Sequence, residues 1–240
     1  MKFFWNKLIA VTLVIVWLSY GWPSVWLPVK SPSGGIQLQQ TRLAKIVWAS
    51  TGGPRTPSTV AGVGVSPCTD NMTWTIAAGD LTSNDTAYVD ITGTAWDAGN
   101  VTDELRMSNF GFSLTGGTVT SIDGFQVDVL GWTPSGTPAA SYHTVSLFTA
   151  PGSNRGDNKA SGTFPTADPG STYQTFGATN DDWYPAGSWT QAEVESANFG
   201  VVMCFTAGEA NATMSLDQVR ITVTYTVNVA PTLSVSQPDG

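Results

Sequence analysis

Residues Arg220–Val227 read RITVTYTV, and the alternation inside that stretch limits the fold more than any other feature of the chain. Ile221, Val223, Tyr225 and Val227 fall on one face of an extended backbone, and Arg220, Thr222, Thr224 and Thr226 on the other. That is the pattern of a strand with one buried face in an antiparallel sheet. The parity breaks just upstream, where Met214 and Leu216 carry even numbers and Val219 and Ile221 odd ones. One extra residue near Asp217-Gln218, a β-bulge, would reconcile the two halves. FQVDVLGW repeats the alternation with Phe125, Val127 and Val129, and TAYVDITG and TVSLFTA supply shorter strands. Clusters of turn formers separate them: TGGT, TPSGTP, PGSNRGDN, ADPGS and TNDDWYPAGS. Short strands with long irregular connections predict an all-β body over residues 57–227, an antiparallel two-sheet β-sandwich of jelly-roll or Greek-key type. One short helix is expected at TQAEVES, where Thr190 and Glu193 stand at capping-box spacing.

Ahead of the body, Lys2 and Lys7 precede an apolar run from Leu8 to Trp22. A basic start followed by an apolar core is the pattern of an export signal. Residues 1–22 are therefore expected to form a hydrophobic helix that is either a signal peptide or a membrane anchor, with the bulk of the chain outside the cell. Residues 23–56 read as a linker, because PSVWLPVKSPSGG cannot hold a helix. Within it, IQLQQTRLAKIVWAS fits a short amphipathic helix with Ile36, Leu43, Ile46 and Val47 on one face, suited to a membrane surface. A helix or strand packed on the body fits the same residues. Residues 228–240 read as a linker and the start of a truncated following repeat.

Charge narrows the partners. The chain carries a net −8, yet residues 1–54 hold Lys2, Lys7, Lys30, Arg42 and Lys45 and no acid. An acidic body repels phosphate backbones, so nucleic acid is excluded as a partner. Only Cys68 and Cys204 are available for a cross-link. They form either a disulfide of an exported chain or two separate small apolar residues.

Asn-Phe-Gly occurs twice, at Asn109–Gly111 and Asn198–Gly200, each before a short apolar run. Asn can close a turn on nearby backbone, Phe begins an inward-facing set, and Gly permits close packing on the opposite face. The repeat is read as the grammar of entering a strand. If the two strands are neighbours, the copies lie side by side.

These motifs occur in a fixed order: NFGF, GFQVDV, NKA, TFG with DDW, SWT leading to NFGV, and ITVTY. In that order, over roughly Met72–Thr226, the chain resembles a jelly-roll β-sandwich module of large secreted and surface proteins of environmental bacteria and of some phage virion proteins. The resemblance implies an extracellular structural or binding role and brings no catalytic residues with it. Cys204 within the NFGV strand and the insertion LGWTPSGTPAASYHT depart from that pattern.

The residues themselves offer little chemistry. His143 is the only histidine, so a metal site needing two imidazoles is excluded, and no nucleophile elbow, phosphate loop or dinucleotide fingerprint is present. The chain is not expected to be an enzyme. It reads first as a structural module of an exported, membrane-anchored surface protein. The alternative is a lectin-like carbohydrate-binding module for extracellular polysaccharide. Its contacts would come from Trp132 in the insertion, with Tyr142, Tyr184, Asp181 and Asp182. A supporting Ca²⁺ would draw on the hard oxygen donors Asp80, Asn84 and Asp85. The RGD at Arg155–Asp157 is read as a turn.

Overall fold

The computed structural model describes residues 24–30, 36–42, 46–63, 68, 74–77, 81–85, 88–91, 98–133, 140–150, 153–184, 187–208 and 214–229, with side chains from Val47 onward. The expected hydrophobic helix at 1–22, the start of a following repeat within 230–240, and Asp80 of the predicted calcium set lie outside the described residues. Among the described residues, no helix is long and apolar enough to cross a membrane.

Two units are distinguished. Residues 1–45 and 231–240 make one, and Ile46–Ala230 the other. The first contains an antiparallel pair, β1 (Ser24–Lys30) and β2 (Ile36–Arg42), in register from Ser24↔Arg42 to Lys30↔Ile36.

The larger unit is almost entirely β. Its strands are β3 (Ile46–Arg55), β4 (Thr59–Val63), β5 (Val89–Ile91), β6 (Glu104–Ser108), β7 (Thr118–Trp132), β8 (Ser141–Ala150), β9 (Ser153–Arg155), β10 (Gln174–Ala178), β11 (Gly200–Thr206) and β12 (Met214–Val229). They form two five-stranded antiparallel sheets. One runs β10-β7-β12-β3, with β5 also paired to β12; the other runs β4-β6-β11-β8-β9. Inward residues of both sheets meet in one hydrophobic core. Phe125 of β7 lies 5.6 Å from Phe199, which leads into β11, and Phe176 of β10 lies 4.7 Å from Tyr142 of β8.

β12 follows the predicted alternation. Val219, Ile221, Val223, Tyr225 and Val227 are buried, and its register against β7 shifts between Leu216 and Gln218, where the parity breaks. The helix α1 (Gln191–Val194) carries both bonds of the capping box between Thr190 and Glu193.

The segment ahead of residue 57 departs from the expected linker. Residues 36–42 and 46–55 are strands, so the amphipathic helix is not formed and the alternative of a strand packed on the body holds for residues 46–55. β3 pairs with β12 from Val229↔Ile46 to Ile221↔Arg55, so it belongs to the sheet. Gly52-Gly53-Pro54 is incompatible with a helix interior, and Val47, Trp48 and Thr51 favour extended backbone. The body therefore begins at Ile46.

The two Asn-Phe-Gly copies lie side by side, because Gly200 pairs with Ser108, the residue before Asn109. Their grammar differs from the prediction. The first copy leaves β6, and only the second enters a strand. Asn109 and Gly111 both have positive φ, at 57° and 64°, which turns the chain out of the sheet. Its carbonyl accepts hydrogen bonds from the Ser58 N–H and hydroxyl. Gly111 has open space around it, whereas a Cβ at Gly200 would run into the Met107 carbonyl and the Phe148 ring. One glycine serves a turn and the other a close approach of strands.

Candidate functional site

A cluster of aromatic and acidic groups lies at one end of β12. Ser215 pairs with Trp132 there, while the opposite end pairs Asn228 with Thr118 and Val229 with Ile46. Trp132 is thus at the pole remote from where the chain enters and leaves the unit. It is half-buried, and Tyr88 meets it edge-on with centroids 5.0 Å apart and planes at 84°. β5, which follows Tyr88 directly, pairs with Met214–Leu216 and so brings the tyrosine to this pole.

The bulge in β12 supplies the acidic part. Leu216 pairs with Gly131 and Gln218 with Leu130, so Asp217 is the residue left over. A bulge re-aims the side chain it carries. Asp217 is buried, and its Oδ1 accepts the Asp85 N–H at 3.1 Å. Gln218 donates to the Thr82 carbonyl, Asn84 to the Gly170 carbonyl, and Ser83 to Asp85 Oδ2. Asp168 accepts from the Gly170 N–H and Asp90 from the Ser215 hydroxyl. Loops 81–85 and 168–170 are in this way stitched to β12. Burial raises the Asp217 carboxyl above the usual carboxylate range; the Asp85 N–H opposes this, and the Asp85 and Asp168 carboxylates add to it. Desolvation, followed by Asp217, Asp168, Asp85 and Asp90, holds the Tyr88 hydroxyl above its ordinary value.

Of the predicted calcium set, Asn84 and Asp85 lie at this pole and take part in these loop bonds. Among the described residues, no group of three or more acids, histidines or cysteines is arranged to hold a metal ion. Tyr88, Asp90, Asp168 and Asp217 were not singled out from sequence. The parity break at residues 216–219 was the one available signal, since it marks the bulge that re-aims Asp217.

The remaining predicted sugar contacts are occupied elsewhere. Tyr142 is 6% exposed and packs on Phe164, Phe176 and Phe205, with its hydroxyl bonded to Gln174. Burial pushes that hydroxyl far above its usual pKa. Asp181 Oδ1 accepts the Trp183 N–H and pairs with Lys159 Nζ at 3.0 Å. Asp182 Oδ1 accepts the Tyr184 N–H, and its carbonyl accepts the Trp189 indole N–H. The Arg155 guanidinium lies 4.6 Å above Tyr184 and 5.2 Å from Trp189, and is ion-paired to Glu193. The DDW segment therefore packs the fold, with Trp183 fully buried and donating to the Phe125 carbonyl at 3.0 Å. Arg155 of the RGD triplet is committed to the same cluster. The aromatic partner of Trp132 is Tyr88, and the expected grouping with Tyr142, Tyr184, Asp181 and Asp182 is not formed.

Cys68 and Cys204 are joined in a disulfide across a sequence separation of 136, and both are fully buried. Val201, Met203 and Phe205 of β11 enter the shared core, which leaves Val202 and Cys204 on the other face of the strand. The cross-link therefore ties Cys68 to the outer face of the second sheet.

Comparison of the chain with protein families, with curated proteins and with solved structures gave no match.

Proposed function

We propose that the chain is a non-catalytic structural module of an exported cell-surface protein, a jelly-roll β-sandwich attached to the membrane through residues 1–22. The observation that carries this reading is the Cys68–Cys204 bond, buried at both ends. Disulfides persist in oxidising compartments outside the cytosol, which fits the basic-then-apolar N-terminus. The acidic body makes nucleic acid a poor partner. The strand order supports the jelly roll. Counting β5 to β12 as eight strands, one sheet takes the first, eighth, third and sixth, and the other the second, seventh, fourth and fifth. Winding antiparallel pairs into two Greek keys produces that interleaving. β3 and β4 then add one strand to each sheet.

The test is to express the full chain with its own N-terminus and trap thiols in intact cells. The expected result is an oxidised, membrane-associated protein that external protease digests. Free thiols in a protease-protected protein would sink the reading.

A second reading, carbohydrate binding, is favoured by the half-buried Trp132–Tyr88 pair among acceptor carboxylates at the end of β12 opposite the Ile46–Val229 pair. Aromatic rings stack on the apolar faces of sugars, and carboxylates accept sugar hydroxyls. A glycan array in calcium and again in EDTA tests it. Binding abolished by Trp132→Ala would establish the site, and loss in EDTA alone would add a metal. A blank array with folded protein leaves the structural reading in place.

A further inference from the structure

The larger unit runs from Ile46 to Ala230, and Ile46 is paired with Val229, the last residue of β12. Tension arriving through the flanking chain therefore acts at one end of the β3–β12 ladder and across it. The hydrogen bonds of an antiparallel ladder run perpendicular to the strands. A load in that direction falls on one pair at a time, whereas a load along the strands is shared by all of them.

The two strands resist unequally. Among the described residues β3 is an edge strand whose ladder is to β12 alone, and its Val47 and Trp48 are exposed at 45% and 59%. β12 is also held on its other side by β7, in register from Ser215↔Trp132 to Asn228↔Thr118, and its inward side chains sit in the core. β3 therefore parts first. The chain next reaches β4, the edge strand of the other sheet, which among the described residues pairs with β6 alone. Beyond it lies Cys68, bonded to Cys204 on β11. At that point the covalent path bypasses everything between the two cysteines.

We propose that β3 and β4 form a tension-released strap, which peels away under load as slack while the disulfide stops the loss and shields the residues inside its loop. This rests on the reading of the chain as a module of a surface protein that carries load through its flanking segments.

The experiment is single-molecule pulling on the full chain in two geometries. In one, handles are at the two termini, so force reaches Ile46 and Val229. In the other, handles are at the exposed Arg55 and the C-terminus, which loads β3 against β12 along the strands. The terminal geometry is expected to rupture at a several-fold lower force. The first step from the larger unit, counted apart from the opening of the β1–β2 pair, should release residues 46–67, roughly 70 Å of extended chain. Length from inside the cross-linked loop, roughly 450 Å, should appear only with reductant present. Equal rupture forces in the two geometries, or a first terminal step that already contains the whole oxidised extension, would overturn the proposal. Reduced cysteines in intact cells would remove the surface reading and leave the force result standing, so the two failures are distinguishable.

Discussion

Replacing Cys68 and Cys204 together by alanine is expected to lower the unfolding free energy by about 3–5 kcal/mol. The bond closes a separation of 136 residues, and for a loop of that size the lost chain entropy of the unfolded state amounts to about 5 kcal/mol. Structure retained by the reduced, unfolded chain brings the figure down. Alanine is the right replacement, because both positions are fully buried and a serine hydroxyl there would add a desolvation cost of its own, about 1–3 kcal/mol if unbonded. Urea unfolding of parent and double variant, with the parent repeated in reductant, is the measurement. The variant and the reduced parent should share one lowered midpoint. A difference from the oxidised parent below about 1 kcal/mol would mean that the cross-link does not constrain the unfolded chain as the loop-entropy account requires.

How much of this architecture could be read from sequence depended on whether a strand has one buried face. β12 does over Val219–Val227, and its alternation was legible, including the bulge at Asp217. For β3 the sequence left a helix and a strand packed on the body both open. It is an edge strand in which the neighbours Val47 and Trp48 are both exposed, so successive apolar side chains carry no period of two. Ile36, Leu43, Ile46 and Val47 then fit a helical period by chance of spacing. Tyr142 failed for a related reason. The register of β8 against β11 passes from Cys204↔Thr144 to Phe205↔Tyr142, leaving His143 over. That irregularity turns Tyr142 into the core along with Val145 and Leu147, against the simple parity of the strand. The candidate site was half legible. Trp132 stood out as an aromatic beside a long insertion. Tyr88, Asp168 and Asp217 come from three distant segments, brought together by the pairing of β5 with the end of β12 and by the bonds of loop 81–85 to Gly170 and to β12.

The second large effect is expected at Phe199, where truncation to alanine should cost about 3–5 kcal/mol. Phe199 is fully buried at the point where the two sheets and the first Asn-Phe-Gly loop converge. Its ring lies 5.6 Å from Phe125 of β7, 5.9 Å from Phe112 and 5.6 Å from Trp189. These neighbours are held by separate elements: Phe125 by the β7–β12 and β7–β10 ladders, Trp189 by its indole bond to the Asp182 carbonyl. None can move into the vacated volume without breaking its own contacts, so the cavity should persist and the cost should lie toward the upper end of the range. Asn198, one residue earlier in the same motif, is exposed. Asn198→Ala should therefore stay within about 0.5 kcal/mol of the parent. Thermal and urea unfolding of the two variants side by side make the comparison. If the repeated tripeptide were a paired binding site, its asparagines would be the residues that matter to function and its phenylalanine would be replaceable. The packing predicts the reverse order for stability, with Phe199 fixing the junction of the two sheets and Asn198 dispensable. Equal destabilisation by the two substitutions would show that the junction is set by the turn ahead of β11 and not by the ring that follows it.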